Sequence, residues 1–167
     1  MRPHEPLRAA ANPSDSRKVG RMADADGHAG RQGRFEELSI QECRELLGTT
    51  TVGRVGFASS SGQLILPVNF SLHGGAVIFR TAATGPLAEL ASGADDVAFE
   101  VDYHGTRSRR AWSVLLNGSA AVVDADEVSI LTGDPAQQVE PWAEGERDLL
   151  IRLSPRTITG RRVSRPD

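Results

Sequence analysis

Apolar and polar side chains alternate through three short runs between residues 51 and 81. VGRVGFA (52–58), LILPVNF (64–70) and AVIFRT (76–81) are separated by the Ser- and Gly-rich stretches 59–62 and 71–75. Strand-like runs joined by Gly-containing loops of this length predict an antiparallel meander. With a period of two, Leu64, Leu66, Val68 and Phe70 share one face of the second run, and Ile65, Pro67 and Asn69 share the other. In the third run Val77, Phe79 and Thr81 face one way, Ile78 and Arg80 the other. Pro67 has no N–H for a ladder, so a free edge, a bulge or an irregular pairing is expected there.

Before the meander the apolar spacing becomes helical. Ile40, Cys43, Leu46 and Leu47 fall on one face, Ser39 and Glu42 form a capping-box pattern, and Gly48 suits the C-terminal end. Cys43 on that face reads as a small core residue. After Thr81, Gly85-Pro86 predicts a turn into a helix that turns Leu87 and Leu90 inward and ends at Ser92-Gly93. Its N-terminus, directly after Arg80-Thr81, is either an anion pocket or an ordinary connection.

Residues 97–102 alternate as a fourth strand, and 111–123 form a long fifth, bent or bulged at Gly118. The basic stretch 104–110 between them is a hairpin tip or a flap. Residues 126–131 suit a short helix capped by Asp124 or Asp126. A loop follows, anchored by Trp142, then a sixth strand at 148–153 and a last short one at 158–163. Six or seven strands with hairpin-length links and no βαβ alternation predict a closed or split antiparallel β-barrel with a few helices. Residues 1–33 are poor in large apolar side chains and read as a disordered tail, leaving 34–167 as one domain.

Charge narrows the chemistry. Residues 1–34 carry seven basic and four acidic side chains (net +3), residues 35–167 twelve and eighteen (net −6). The acidic body argues against a nucleic-acid platform. Lys18 is the single lysine, so any anion site in the body must use Arg, backbone N–H groups or hydroxyls. One cysteine excludes an intrachain disulfide and fits a reducing, cytoplasmic setting. No apolar run is long enough to span a membrane, and the four scattered histidines offer no metal triad. Dinucleotide, P-loop and hydrolase-elbow signatures are absent. Arg54 and Asn69 are polar residues inside strand-like runs: Arg54 is an edge-strand surface residue or a ligand contact, Asn69 a ligand contact or a bulge-satisfying side chain. Trp112 either caps the core or makes a flat wall for a ring.

The ordered set GRVGF, LPVNF, VIFRT, a Gly-led helix start, VAFEVD, AWSVLLNGSA and ITGRR resembles the pyridoxamine 5′-phosphate oxidase-like, FMN-binding split-barrel proteins, in particular their small actinobacterial branch. The resemblance spans about residues 35–165. It implies a six-stranded split barrel that forms a homodimer, with FMN or a deazaflavin at the dimer interface. It implies that Arg80 and Thr81 hold the phosphate or ribityl chain, with Leu87 at the following helix start. Pro67, Val68 and Asn69 would lie along the isoalloxazine ring. Trp112 and Ser113 would face it from the other side, and Arg161 or Arg162 would complete the phosphate clamp, with Arg54 as a further cation. Pro86 stands where many relatives carry Lys. A lost charged hydrogen bond of about 1.5–3 kcal/mol corresponds to roughly ten- to hundredfold weaker binding. Three functions follow: an FMN-dependent oxidoreductase acting on a small redox substrate, a deazaflavin-dependent reductase, or a non-enzymatic cofactor-binding module.

Overall fold

Each alternating run becomes one stave of a barrel. The computed structural model describes residues 34–105, 110–133 and 148–164. Its elements are β1 (Arg34–Glu37), α1 (Ile40–Leu47), β2 (Val52–Ser59), β3 (Gly62–His73), β4 (Ala76–Thr81), a 3-10 helix (Pro86–Ser92), β5 (Ala94–Gly105), β6 (Arg110–Val122), α2 (Ala125–Gly133) and β7 (Leu149–Ser164). The strands are ordered β1-β7-β4-β3-β2-β5-β6, and β6 pairs back onto β7. Six strands therefore close a ring, every pairing is antiparallel, and β1 is added to an edge of β7. This is the split barrel that the alternation predicts.

The split lies along β7. One edge of that strand pairs with β4 over Leu149–Leu153 and with β1 over Arg161–Ser164, while β6 runs along the other edge from Ile151 to Ser164. In the interval between β4 and β1, α1 closes the wall. Leu38 N–H donates to the Gly160 carbonyl (2.9 Å), and the Cys43 sulfur occupies the space where a Gly160 Cβ would be. The capping box forms as read: Glu42 N–H donates to Ser39 Oγ, and the Glu42 carboxylate accepts from Ser39 N–H.

Inward positions fill the barrel. Val55, Phe57, Val68, Phe70, Val77, Phe79, Phe99, Val114, Leu116, Ile151 and Leu153 form one core with Cys43, Leu47 and Leu90. Phe70 and Phe99 meet edge to face at 4.9 Å. The Phe99 ring lies where Gly53 would carry a Cβ, 2.2 Å from that position, which accounts for the first glycine of GRVGF. A second, smaller core of Ile78, Val123, Leu131 and Leu150 forms on the outside of the wall under α2, tied by an Arg152–Glu127 ion pair.

Several expectations change. The helix expected after Gly85 forms over the expected residues as a seven-residue 3-10 helix, and Gly85 (φ 99°) offers it no side-chain cap. The sixth and seventh strands are one 16-residue strand, β7. Ser154-Pro155 reads as a break because proline cannot complete a ladder, but the register shifts between Asn117 and Gly118 and Pro155 sits at that irregularity. The bend expected at Gly118 and the apparent gap in β7 are two sides of one feature. β1 was not anticipated. The expected tail (1–33), the centre of the basic stretch (106–109) and the loop with Trp142 (134–147) lie outside the described residues.

Pro67 also has a clear setting. It pairs with Arg54 in β2, whereas β4 joins β3 only from Phe70 onward. Phe70 N–H donates to Thr51 O, so strand alternation turns the Pro67 nitrogen to the opposite edge, where no donor is needed.

At Gly118 a Cβ would lie 2.0 Å from the Ser154 carbonyl oxygen, a backbone atom, whereas at Gly56 the nearest neighbour would be at an ordinary 3.6 Å. Gly118→Ala should therefore destabilise the protein by about 1–3 kcal/mol in denaturant titration. Gly56→Ala should cost far less; equal losses would show that the close approach at Gly118 is not real.

Candidate functional site

The same alternation divides the proposed site residues between the two faces of the wall. Val68 and Thr81 are buried on the inner side, and Leu87 packs against the core. Arg54, Pro67, Asn69, Arg80, Ser113 and Arg161 are on the outer side. Trp112 and Arg162 continue the inner row beyond the end of the barrel.

On the outer wall, cross-strand register builds a continuous surface. One row runs Pro67, Arg54, Glu100, Leu115, Thr159, and the next includes Asp102, Ser113, Arg161, Glu37. Ser113, Leu115, Thr159, Gly160 and Arg161 line a shallow groove of about 150 Å3. Beside it Leu115, Val163 and Phe35 are exposed large apolar residues, with Phe35 57% exposed. Arg161 lies 5.6 Å over the Phe35 ring.

Two other cations of this wall, Arg54 and Arg80, differ. β2 is flanked by β3 and β5, so Arg54 is not on an edge strand. Its guanidinium bonds Asp102 (2.5 Å) and Glu100 (3.1 Å). The hydrogen bond and charge of Asp102, then those of Glu100, raise its pKa above the ordinary arginine value and keep it charged. Arg80 is half-buried and makes no ion pair with a described residue. The β3–β4 register, extended by one step, places Asn69 opposite it. Ser71, on the same face, has a buried Oγ with no hydrogen-bond partner.

On the inner side past α1, Tyr103, Trp112 and Arg162 are neighbours across three strands, with Arg110 opposite Ser164 in the next row. These five residues line a cleft of about 500 Å3. The Tyr103 and Trp112 rings stack at 6.3 Å with 22° between their planes. Arg162 reaches Glu42 of α1 at 3.5 Å. Tyr103, Arg110 and Ser164 were missed by sequence reasoning. The β5–β6 hairpin register would have found them, since it pairs Tyr103 with Trp112. The signal for the outer patch was Val114-Leu115-Leu116, where three apolar residues in succession break the alternation.

A family model described as pyridoxamine 5′-phosphate oxidase matches residues 39–162. The chain belongs to the pyridoxamine 5′-phosphate oxidase family. Within it, the chain is 31% identical over 132 residues to the uncharacterized protein Rv0080 of Mycobacterium tuberculosis, covering 76% of this chain and 84% of that one. An FAD binding protein from Mycobacterium smegmatis is 31% identical with a TM-score of 0.61, over 78% of this chain and 98% of its own. A Corynebacterium glutamicum protein, provisionally described as a pyridoxamine 5′-phosphate oxidase, is 30% identical with a TM-score of 0.64, over 80% and 96%. This family member has no helix among its described residues long and apolar enough to cross a membrane.

Titration of the α1 cap is set by the same contacts. Backbone and then side-chain hydrogen bonds from Ser39, followed by the Arg162 charge, hold the Glu42 carboxyl below its ordinary 4.5. A lowered folded-state pKa stabilises the fold above about pH 4.5, and that contribution is lost as pH falls through the lowered value. Glu42→Gln should thus remove part of the acid-side loss of stability, seen by comparing denaturation midpoints at pH 7 and pH 3. An unchanged difference between the two pH values would rule this contribution out.

Proposed function

We propose that this protein binds a flavin nucleotide on the outer wall of its barrel, between two copies of the chain, and serves as a flavin-dependent oxidoreductase. The observation that carries this reading is Arg80. A guanidinium half-withdrawn from water without a carboxylate is costly unless an anion meets it. Arg80 is the described arginine in that state: Arg152 and Arg162, the other half-buried ones, have Glu127 and Glu42. A flavin phosphate supplies the missing anion. Pro67 and Asn69, on the same face, border the ring.

A ligand-sized pocket usually measures about 300–1,000 Å3. The outer groove of one copy is smaller, and its rim is apolar and exposed. A second copy whose Ser113 and Arg161 face the first copy's Pro67, Asn69 and Arg80 would bury that rim and enclose the ring. Patches of this kind mark protein–protein contacts. When bound, the flavin supplies two-electron redox chemistry. The chain's share is to bind, orient and exclude water; the carboxylates nearest Pro67, Glu100 and Asp102, are both committed to Arg54.

Pro86 and the 3-10 helix favour a second form of the same reading. The phosphate end lacks a lysine, and a seven-residue 3-10 helix offers few free amides. An FAD, with an adenosine arm that adds contacts away from the phosphate, compensates for that loss. The FAD-binding relative from Mycobacterium smegmatis supports this form.

Purified protein should take up FMN or FAD with one flavin per chain and sediment as a dimer. Leu115→Asp should weaken both dimerisation and flavin binding. Arg80→Ala should weaken FMN binding about ten- to hundredfold, the loss of one charged hydrogen bond, with much less effect on riboflavin. Equal losses for FMN and riboflavin would remove Arg80 from the phosphate site. Uptake of a deazaflavin but neither flavin would change the cofactor, and failure to bind any of them would leave a non-enzymatic module.

A further inference from the structure

Trp112 and Ser113 are consecutive residues of one strand and therefore face opposite sides of the sheet. The same holds for Arg161 and Arg162 in β7. A ring lying against Ser113 and Arg161 cannot also lie against Trp112 and Arg162 of the same copy. The inner cleft thus needs its own explanation.

We propose that the cleft formed by Tyr103, Arg110, Trp112, Arg162 and Ser164 is a second ligand site that takes a planar aromatic carboxylate. The proposal does not depend on flavin binding by the outer wall. Its walls match that class of ligand at three points. The Tyr103 and Trp112 rings are nearly parallel, and Tyr103 is 50% exposed although it is a large aromatic residue. An added aromatic ring extends the stack and covers that surface. Arg110 and Arg162 put two guanidinium groups on the cleft; Arg162 has Glu42 at 3.5 Å and lies opposite Glu36 of β1, whereas Arg110 makes no ion pair with a described residue and shares its row with Arg34 beyond Ser164. That leaves net positive charge beside the stack, and a guanidinium fork matches a carboxylate in two parallel hydrogen bonds. The cleft, at about 500 Å3, accommodates a one- or two-ring ligand, and Ser164 adds a hydroxyl at the rim.

The position is also defended by the fold. Trp112 packs partly on the main core, so its ring is fixed rather than free to collapse into the cleft. The Glu42–Arg162 contact, anchored through the α1 capping box, holds the second guanidinium in place.

The experiment uses the full chain carrying Trp142→Phe, which leaves Trp112 as the single tryptophan of the two in the sequence. The probe is 4-nitrobenzoate, a planar aromatic anion that quenches indole fluorescence. Saturable quenching is expected, with 4-nitrobenzyl alcohol at least fivefold weaker and acetate giving no quenching. Arg110→Gln and Arg162→Gln should each weaken the probe by about tenfold. If Arg162→Gln unfolds because Glu42 loses its partner, Arg110→Gln alone decides. A saturating concentration of FMN should leave the probe affinity within twofold. Linear, non-saturating quenching, equal affinity for the neutral alcohol, or unchanged affinity in Arg110→Gln would overturn the proposal. Competitive displacement by FMN would overturn it too, by making the cleft part of the flavin's own site, and the flavin reading itself would survive that outcome.

Discussion

The barrel depends on one strand being shared along its whole length. β7 gives its first residues to β4, its last to β1, and its opposite edge to β6 throughout. Without that sharing the sheet would end in two open edges, at β4 and at β6, each a row of unpaired backbone groups. β6 and β7 stay paired from Ile151 to Ser164 across one register shift. That shift lies at Asn117/Gly118 opposite Pro155, where Gly118 lets the Ser154 carbonyl approach to where a side chain would be. Closure is thus bought with a glycine and a proline on facing strands.

Closing the sheet fixes which side of the wall each residue sees, and this governs the chemistry. Sites written in the sequence as adjacent pairs (Val68 and Asn69, Arg80 and Thr81, Trp112 and Ser113, Arg161 and Arg162) are split by the pleat into one member for each face. The outer members meet along the cross-strand rows of the wall. The inner ones either enter the core, as Val68 and Thr81 do, or emerge past α1 in the cleft, as Trp112 and Arg162 do. The α1 plug marks the boundary: on the inner row Val114 and Leu116 are core residues, while Trp112 is at the mouth.

Much of this was legible before any coordinates. The alternation of β3 and β4, the capping box at Ser39 and Glu42, the burial of Cys43 and the irregularity at Gly118 all rest on local rules, and the local rules hold. What failed were non-local matters. Pro155 reads as a strand break unless one knows that Gly118 lies across from it. Arg54 reads as an edge residue unless one knows that β5 brings Glu100 and Asp102 to its other side. The pair of Tyr103 with Trp112 requires the hairpin register, which the stretch between them does not specify. The helix after Gly85-Pro86 was legible, but not its 3-10 type, since Gly85-Pro86 and the leucine spacing suit either form.

Arginine distribution ties the fold to recognition. With no lysine after Lys18, every anion-binding task in the body falls to guanidinium groups, which form directional forks rather than point charges. Arg152 and Arg156 are used in the framework, tying α2 to β7 and β7 to the start of β5. Arg54 is held by two carboxylates and Arg162 by one. Arg80, Arg110 and Arg161 have no carboxylate among the described residues and lie on strands, not in loops. Their backbones are held by antiparallel ladders, so little conformational freedom remains to be lost when an anion arrives, and affinity is gained by preorganisation rather than by extra contacts. Arg80 and Arg161 are on the outer wall and Arg110 lines the inner cleft. The pleat that separates Ser113 from Trp112 therefore also puts the two proposed anion sites on opposite faces of the wall.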